Sequence, residues 1–204
     1  FNVLPLFYLA IALGLITIFL ASIMAFRVAD LLELLAYACI LQAGFVFTSY
    51  GSSIFGREMF VYAIVHAVNI IFFELLIFGS LSLHHLIGTK AAEKFFMAGI
   101  LSSIGVPFTS GFVSKILIVI GSFDVNLMVA FILLFATIIS ALYGIKAYAL
   151  FLRLETHRGS RKPRISCFTF LSFLLVLTVG FGIHYKGLIY IANFAIFSLY
   201  SFGA

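Results

Sequence analysis

Residues 105–121 read GVPFTSGFVSKILIVIG. A single lysine, Lys115, stands in this apolar run, with no acidic residue within eight positions on either side. Gly105, Pro107 and Gly111 come shortly before it. Proline removes a backbone donor and disfavours helix at the preceding residue. The stretch therefore reads as a helix that ends near Ile104, loosens over 105–111 and restarts near Phe112, with Lys115 in the first turns of the second half. A helix broken at membrane depth is tolerated only where it is buried in protein or lines a wet cavity. Breaks of this kind bring backbone partial charge to the midplane, as transporter sites do. A lysine there costs roughly 3 kcal/mol on insertion scales. One that exchanges between charged and neutral forms can load and release a proton. One that does not is a plug on the free carbonyls ending the first half-helix.

The rest of the chain makes the membrane reading general. Of its 204 residues, 64% are hydrophobic and 9% charged, far from the soluble average of about a quarter charged. Successive apolar runs are each long enough to cross roughly 30 Å of hydrocarbon as a helix. The expected fold class is all-α: a polytopic transmembrane bundle of about six spans, forming one transmembrane unit over 1–204. The spans fall at about 5–25, 34–50, 59–83, 95–123 (broken near 105–111), 127–152 and 167–185. A further apolar run, 187–203, is either a short interfacial helix or a marginal span. Residues 5–25 lack a basic flank and a cleavage site, and read as a span rather than a signal peptide.

Charge supports one crossing, not two, for the broken segment. With one crossing, Arg27, Lys90, Lys94, Arg153, Arg158, Arg161, Lys162 and Arg164 lie on one side, and Arg57 and Lys186 on the other. That asymmetry fits the positive-inside rule and puts the basic loops on the cytoplasmic or matrix side. With two crossings the large basic loop moves to the opposite side and the bias dissolves. The net charge of +5 thus reflects orientation, and nucleic acid is not an expected partner. Cys39 and Cys167 lack metal-ligand spacing. No glycine-rich phosphate loop, HExxH motif or strand pattern is present in the sequence.

Other polar residues fall inside the spans. In the third, His66 is followed one turn later by Asn69, on the same face. Histidine titrates near neutrality and relays protons, although a histidine between helices also serves packing alone. Glu74, near the centre of that span, is about 80° round the helix from His66 at 100° per residue. It either joins a relay or pairs with a basic group on an adjacent chain. Gln42 lies at mid-depth in the second span; its amide can hold water but cannot carry charge. In the fifth, Tyr143 and Lys146 share a face, and Lys146 is either a second relay member or a snorkelling side chain. His84 and His85 read as solvated loop residues.

Three stretches resemble a known family, the antiporter-like membrane subunits of respiratory complex I. LLAYACILQAGF (34–45) is similar to that family's LLAYSSIAHxGY segment. IGVPFTSGFVSKILIVIG (104–121) resembles its broken helix xAGIPxxxGFxGKFxxx, and IVHAVNIIFFELLIFG (64–79) resembles its xxHAxxKAxLF helix. Order, spacing and hydropathy agree from residue 5 to about 185. The resemblance implies spans nine to fourteen of a fourteen-span subunit, that is, the second of two inverted repeats with its last helix. It implies a central proton-handling role for Lys115 and a relay role for His66. The family's histidine in span ten falls on Gln42, a departure that removes a titratable group. Its basic pair before LLAY falls on Leu32 and Glu33, a second departure. A lysine at 115 and the lack of a long lateral helix lean towards the subunit 2 type, with subunits 5 and 4 as the other paralogues.

The implied function is proton translocation as a subunit, or split half-subunit, of NADH:ubiquinone oxidoreductase. The alternatives are a structural half-subunit without transport and a subunit of a related cation/proton antiporter. No cofactor is expected in this chain; NADH, FMN, iron–sulfur clusters and ubiquinone are expected elsewhere in such a complex. The implied partners are other membrane-arm subunits, among them a chain supplying the missing N-terminal spans, and membrane lipids. With 26 Phe and no Trp, the composition fits an AT-rich organellar gene. The implied location is the mitochondrial inner membrane, with a bacterial plasma membrane as the alternative.

Overall fold

Helices form where apolar runs are bounded by short polar side chains that cap free backbone N–H groups. In the computed structural model, which describes residues 4–87, 90–154 and 165–201, eight helices are seen. They are α1 (Leu4–Arg27), α2 (Leu31–Ser52), α3 (Arg57–Ile87), α4 (Lys90–Ile104), α5 (Ser110–Val125), α6 (Leu127–Phe151), α7 (Ile165–Ile183) and α8 (Tyr185–Ser201). The Asp30 carboxylate accepts from Leu32 N and Glu33 N and starts α2 three residues earlier than its hydropathy suggests. Asn126 ends α5 and caps α6, accepting from Met128 N at 2.8 Å. Five helices, α1, α2, α3, α6 and α7, are long and apolar enough to cross a membrane. The half-helices α4 and α5 are separated by the break at residues 105–109. Most of the basic loop (155–164) and residues 202–203 of the last apolar run lie outside the described residues.

The break is built from three devices. Gly105 has φ +89° and closes α4 in a Schellman motif. Val106 N donates to Leu101 O at 3.0 Å, and Gly105 N donates to Ser102 O at 3.0 Å. Phe108, at φ +72°, turns the chain a second time, and Thr109 Oγ1 then accepts from Phe112 N to start α5. Gly111 does not loosen the helix as the sequence suggests. It lies in the first turn of α5, where a Cβ would stand 1.9 Å from Ser102 O. Its missing side chain is what lets the two half-helices touch.

α3 is the hub, packed against α2, α4, α5, α7 and α8. At 31 residues it is longer than the expected 59–83, about 46 Å at 1.5 Å per residue. Its last turn contains His84 and His85. His84 is not a solvated loop residue: it is buried, with its ring centroid 4.5 Å from that of Phe151. Aromatic packing thus prolongs the helix past its expected end. α1 and α2 approach closely through small residues, a Cβ on Gly14 meeting Thr48 N at 2.6 Å. The outer faces are apolar: Phe19, Phe135 and Ile145 are 62–65% exposed, as lipid-facing or partner-facing surfaces are.

Candidate functional site

The carbonyls that end a helix lack intrahelical partners. At the end of α4 one of them, Ser103 O, accepts from Lys115 Nζ at 2.6 Å. The side chain of Lys115 runs back from the start of α5 to the end of α4 and is 1% exposed. Its nitrogen also donates to Ser140 Oγ on α6 at 3.0 Å, and the Phe45 ring from α2 lies 5.3 Å from it, within cation–π reach. Both hydrogen-bond partners are neutral. Ser140 in turn donates to Thr137 O at 2.7 Å in its own helix.

Gln42 on α2 meets the same cluster. Its Nε2 lies 3.1 Å from both Ser103 O and Ser103 Oγ, and 2.9 Å from the Tyr143 hydroxyl on α6. The amide has two protons for these three oxygens, so they share them. Gln42 therefore occupies the hub of the site although it carries no charge.

His66 and Asn69 share a face of α3, as their spacing requires, and both contact the first turns of α5. His66 Nδ1 is 2.9 Å from Ser114 Oγ, and Asn69 Nδ2 donates to Ser110 O at 3.1 Å. The His66 and Phe45 rings are in edge contact at 5.8 Å. Phe45 thus touches both Lys115 and His66. Among the described residues, buried atoms of this face lack a protein partner: His66 Nε2, Asn69 Oδ1 and Ser110 Oγ. Buried polar atoms are nearly always hydrogen-bonded, to protein or to ordered water. An unpaired set alongside a helix break suits a hydrated path.

Glu74 lies apart from His66, on the side of α3 facing α2 and α6, and is half-buried beside Cys39. Lys146 is directed away from the cluster. It donates to Ala25 O and Phe26 O, both at 3.0 Å, and to Val28 O. All three of its donors are spent on the C-terminal end of α1 and the residue that follows it, where the helix dipole favours a cation. Tyr143, its companion in the sequence reading, does join Gln42 and Ser103.

The serines of the site carry no distinctive sequence signal. Ser103, Ser114 and Ser140 look like Ser22, Ser52 and Ser122, which bond carbonyls four residues back in their own helices. Phe45, one of 26 phenylalanines, is equally anonymous.

Residues 5–140 match the family described as NADH:quinone oxidoreductase/Mrp antiporter, transmembrane. NADH-quinone oxidoreductase subunit M of Rickettsia prowazekii is 32% identical over 157 residues, taking in 68% of this chain and 30% of the relative. The subunit M of Rickettsia felis is 30% identical over 157 residues, with the same coverage. The chain thus spans about 30% of the length of these curated relatives. They bear the name subunit M, whereas the lysine at 115 leaned towards the subunit 2 type. Among solved structures, an archaeal membrane-bound sulfane sulfur reductase superposes with TM-score 0.78 at 19% identity, covering 94% of this chain and 42% of the other. The Mrp complex of Dietzia sp. gives 0.78 at 15% identity, covering 91% and 46%. Respiratory complex I of Thermus thermophilus gives 0.70 at 19% identity, covering 91% and 43%. At these identities the structures speak for a shared fold. On the match over residues 5–140, the chain belongs to the NADH:quinone oxidoreductase/Mrp antiporter transmembrane family.

Proposed function

We propose that this chain handles protons in the membrane arm of an NADH:quinone oxidoreductase, with Lys115 as the central group and His66 as its neighbour across Phe45. The observation that carries the reading is the environment of Lys115. Among the described residues, a 1% exposed amine at a helix break has a carbonyl and a hydroxyl as its hydrogen-bond partners, 2.6 and 3.0 Å away. Neither partner fixes its charge, as a carboxylate would. The unpaired polar atoms of His66, Asn69 and Ser110 supply positions for water beside it.

In this reading the chain is one part of the proton-translocating reductase and carries no redox centre. NADH, FMN, iron–sulfur clusters and ubiquinone belong to other subunits. Partner chains cover the break: Pro107 and Phe108 are exposed, Phe108 by 76%, and irregular backbone at membrane depth is stable only under protein. The relatives named above are bacterial, which favours a bacterial plasma membrane over the mitochondrial inner membrane.

Lys115→Arg tests the role. Arginine keeps the donors and the positive charge but does not deprotonate in proteins. If Lys115 must lose its proton, the assembled variant complex oxidises NADH without normal proton uptake. Normal uptake would overturn the proposal. The second reading, an architectural element without transport, is favoured by the 2.6 Å bond to Ser103 O, which closes the end of α4. That reading predicts normal uptake in Lys115→Arg. A cation/proton antiporter subunit, the third, would purify without redox partners.

A further inference from the structure

Between α2, α3, α4 and α6, on the basic-loop side of the break, lies a small, partly open cavity of about 10 Å³. A water needs roughly 10–15 Å³ and two to four polar partners. The walls are mainly apolar, but Cys39, Gln42, Glu74 and Tyr143 converge there. Two buried acceptors have no donor among the described residues: Gln42 Oε1, on a side chain 1% exposed, and Glu74 Oε1. One donor lacks a good acceptor. The Tyr143 oxygen faces Gln42 Nε2 at 2.9 Å, and the Ser103 hydroxyl is 3.5 Å from it, at the limit of a hydrogen bond. A single water answers all three, donating to Glu74 Oε1 and Gln42 Oε1 and accepting from Tyr143. Three bonds are typical of a buried water.

We propose that this cavity is a water site and that Glu74 is the proton-holding carboxyl group on the basic-loop side of Lys115. The proposal rests on the proton-handling reading of Lys115. The water touches Gln42 and Tyr143, and Gln42 donates to Ser103, whose carbonyl holds Lys115. The step balances simply. A hydronium reaching the water position leaves its extra proton on the carboxylate, giving a carboxylic acid and a neutral water; release is the reverse. The titratable groups facing Glu74 across the cavity are Cys39 from α2 and Tyr143 from α6; the lining residues from α4, Ile100 and Ser103, are not titratable. Cys39 and Glu74 line the cavity together.

The test uses the intact complex. A high-resolution density map should show one water within hydrogen-bond reach of Glu74 Oε1 and Gln42 Oε1. Infrared difference spectra with isotope-labelled glutamate should show a carboxyl band that Glu74→Gln removes. Proton uptake per NADH should fall by roughly tenfold or more in Glu74→Gln, the scale of a lost acid–base group. A side-chain-filled cavity, or unchanged uptake in an assembled Glu74→Gln complex, would overturn the inference. Should Glu74→Gln not assemble, the density of the unmodified complex decides. If Lys115→Arg stops uptake while Glu74→Gln does not, this inference alone fails. If both leave uptake normal, the proton-handling reading fails as well.

Discussion

Replacing Lys115 with Met should leave the bundle standing and stop its proton traffic. The substitution removes two hydrogen bonds, of 2.6 Å to Ser103 O and 3.0 Å to Ser140 Oγ. Bonds to a charged group contribute about 1.5–3 kcal/mol each. Against that loss, an ammonium at mid-membrane costs about 3 kcal/mol, which the thioether avoids. Neither former acceptor is stranded. Ser103 O keeps Gln42 Nε2 at 3.1 Å, and Ser140 still donates to Thr137 O at 2.7 Å. The net destabilisation is therefore about 0–3 kcal/mol, from the same terms. Lys115→Ala differs, because it empties the volume of a long side chain; core truncations of that kind cost about 2–5 kcal/mol. Native gels would measure assembly, and a pH-sensitive dye in inverted vesicles would measure proton uptake against NADH oxidation. Lys115→Met should assemble close to the unmodified level with uptake per NADH lost, whereas Lys115→Ala should also lose abundance. An assembled Lys115→Met complex that takes up protons normally would refute the reasoning.

Three further substitutions separate architecture from transport. Gly111→Ala brings a Cβ to 1.9 Å from Ser102 O, so α5 must retreat from α4 by about 1 Å or more to reach an allowed contact. Both assembly and uptake should drop, and an unaltered complex would contradict the close packing of the half-helices. Lys146→Met uncovers three carbonyls at the end of α1. It should lower thermal stability by about 1–3 kcal/mol while leaving uptake per assembled complex unchanged; a selective loss of uptake would instead assign Lys146 to the path. His66→Gln retains a partner for Ser114 Oγ but no titrating ring. Uptake should slow with abundance kept, and normal uptake would remove His66 from the relay.

Local sequence located the long apolar helices, because apolar length acts residue by residue. Gly105 and Pro107 marked the break, and the i, i+3 spacing of His66 and Asn69 fixed their common face. What local sequence could not show was which distant groups meet there. The carbonyl that receives Lys115 belongs to Ser103, on the other half-helix, and every backbone carbonyl looks alike in sequence. In sequence Gln42 reads as a relay position without a titratable group; only packing brings its amide to that same carbonyl. Lys146 carries the same functional group as Lys115, but its partners are the last carbonyls of a helix more than a hundred residues earlier. Serines that face the site and serines that bond their own helices read identically. Tertiary structure decided these roles because a polar group inside a membrane must find a partner, and which partner depends on the neighbouring helix.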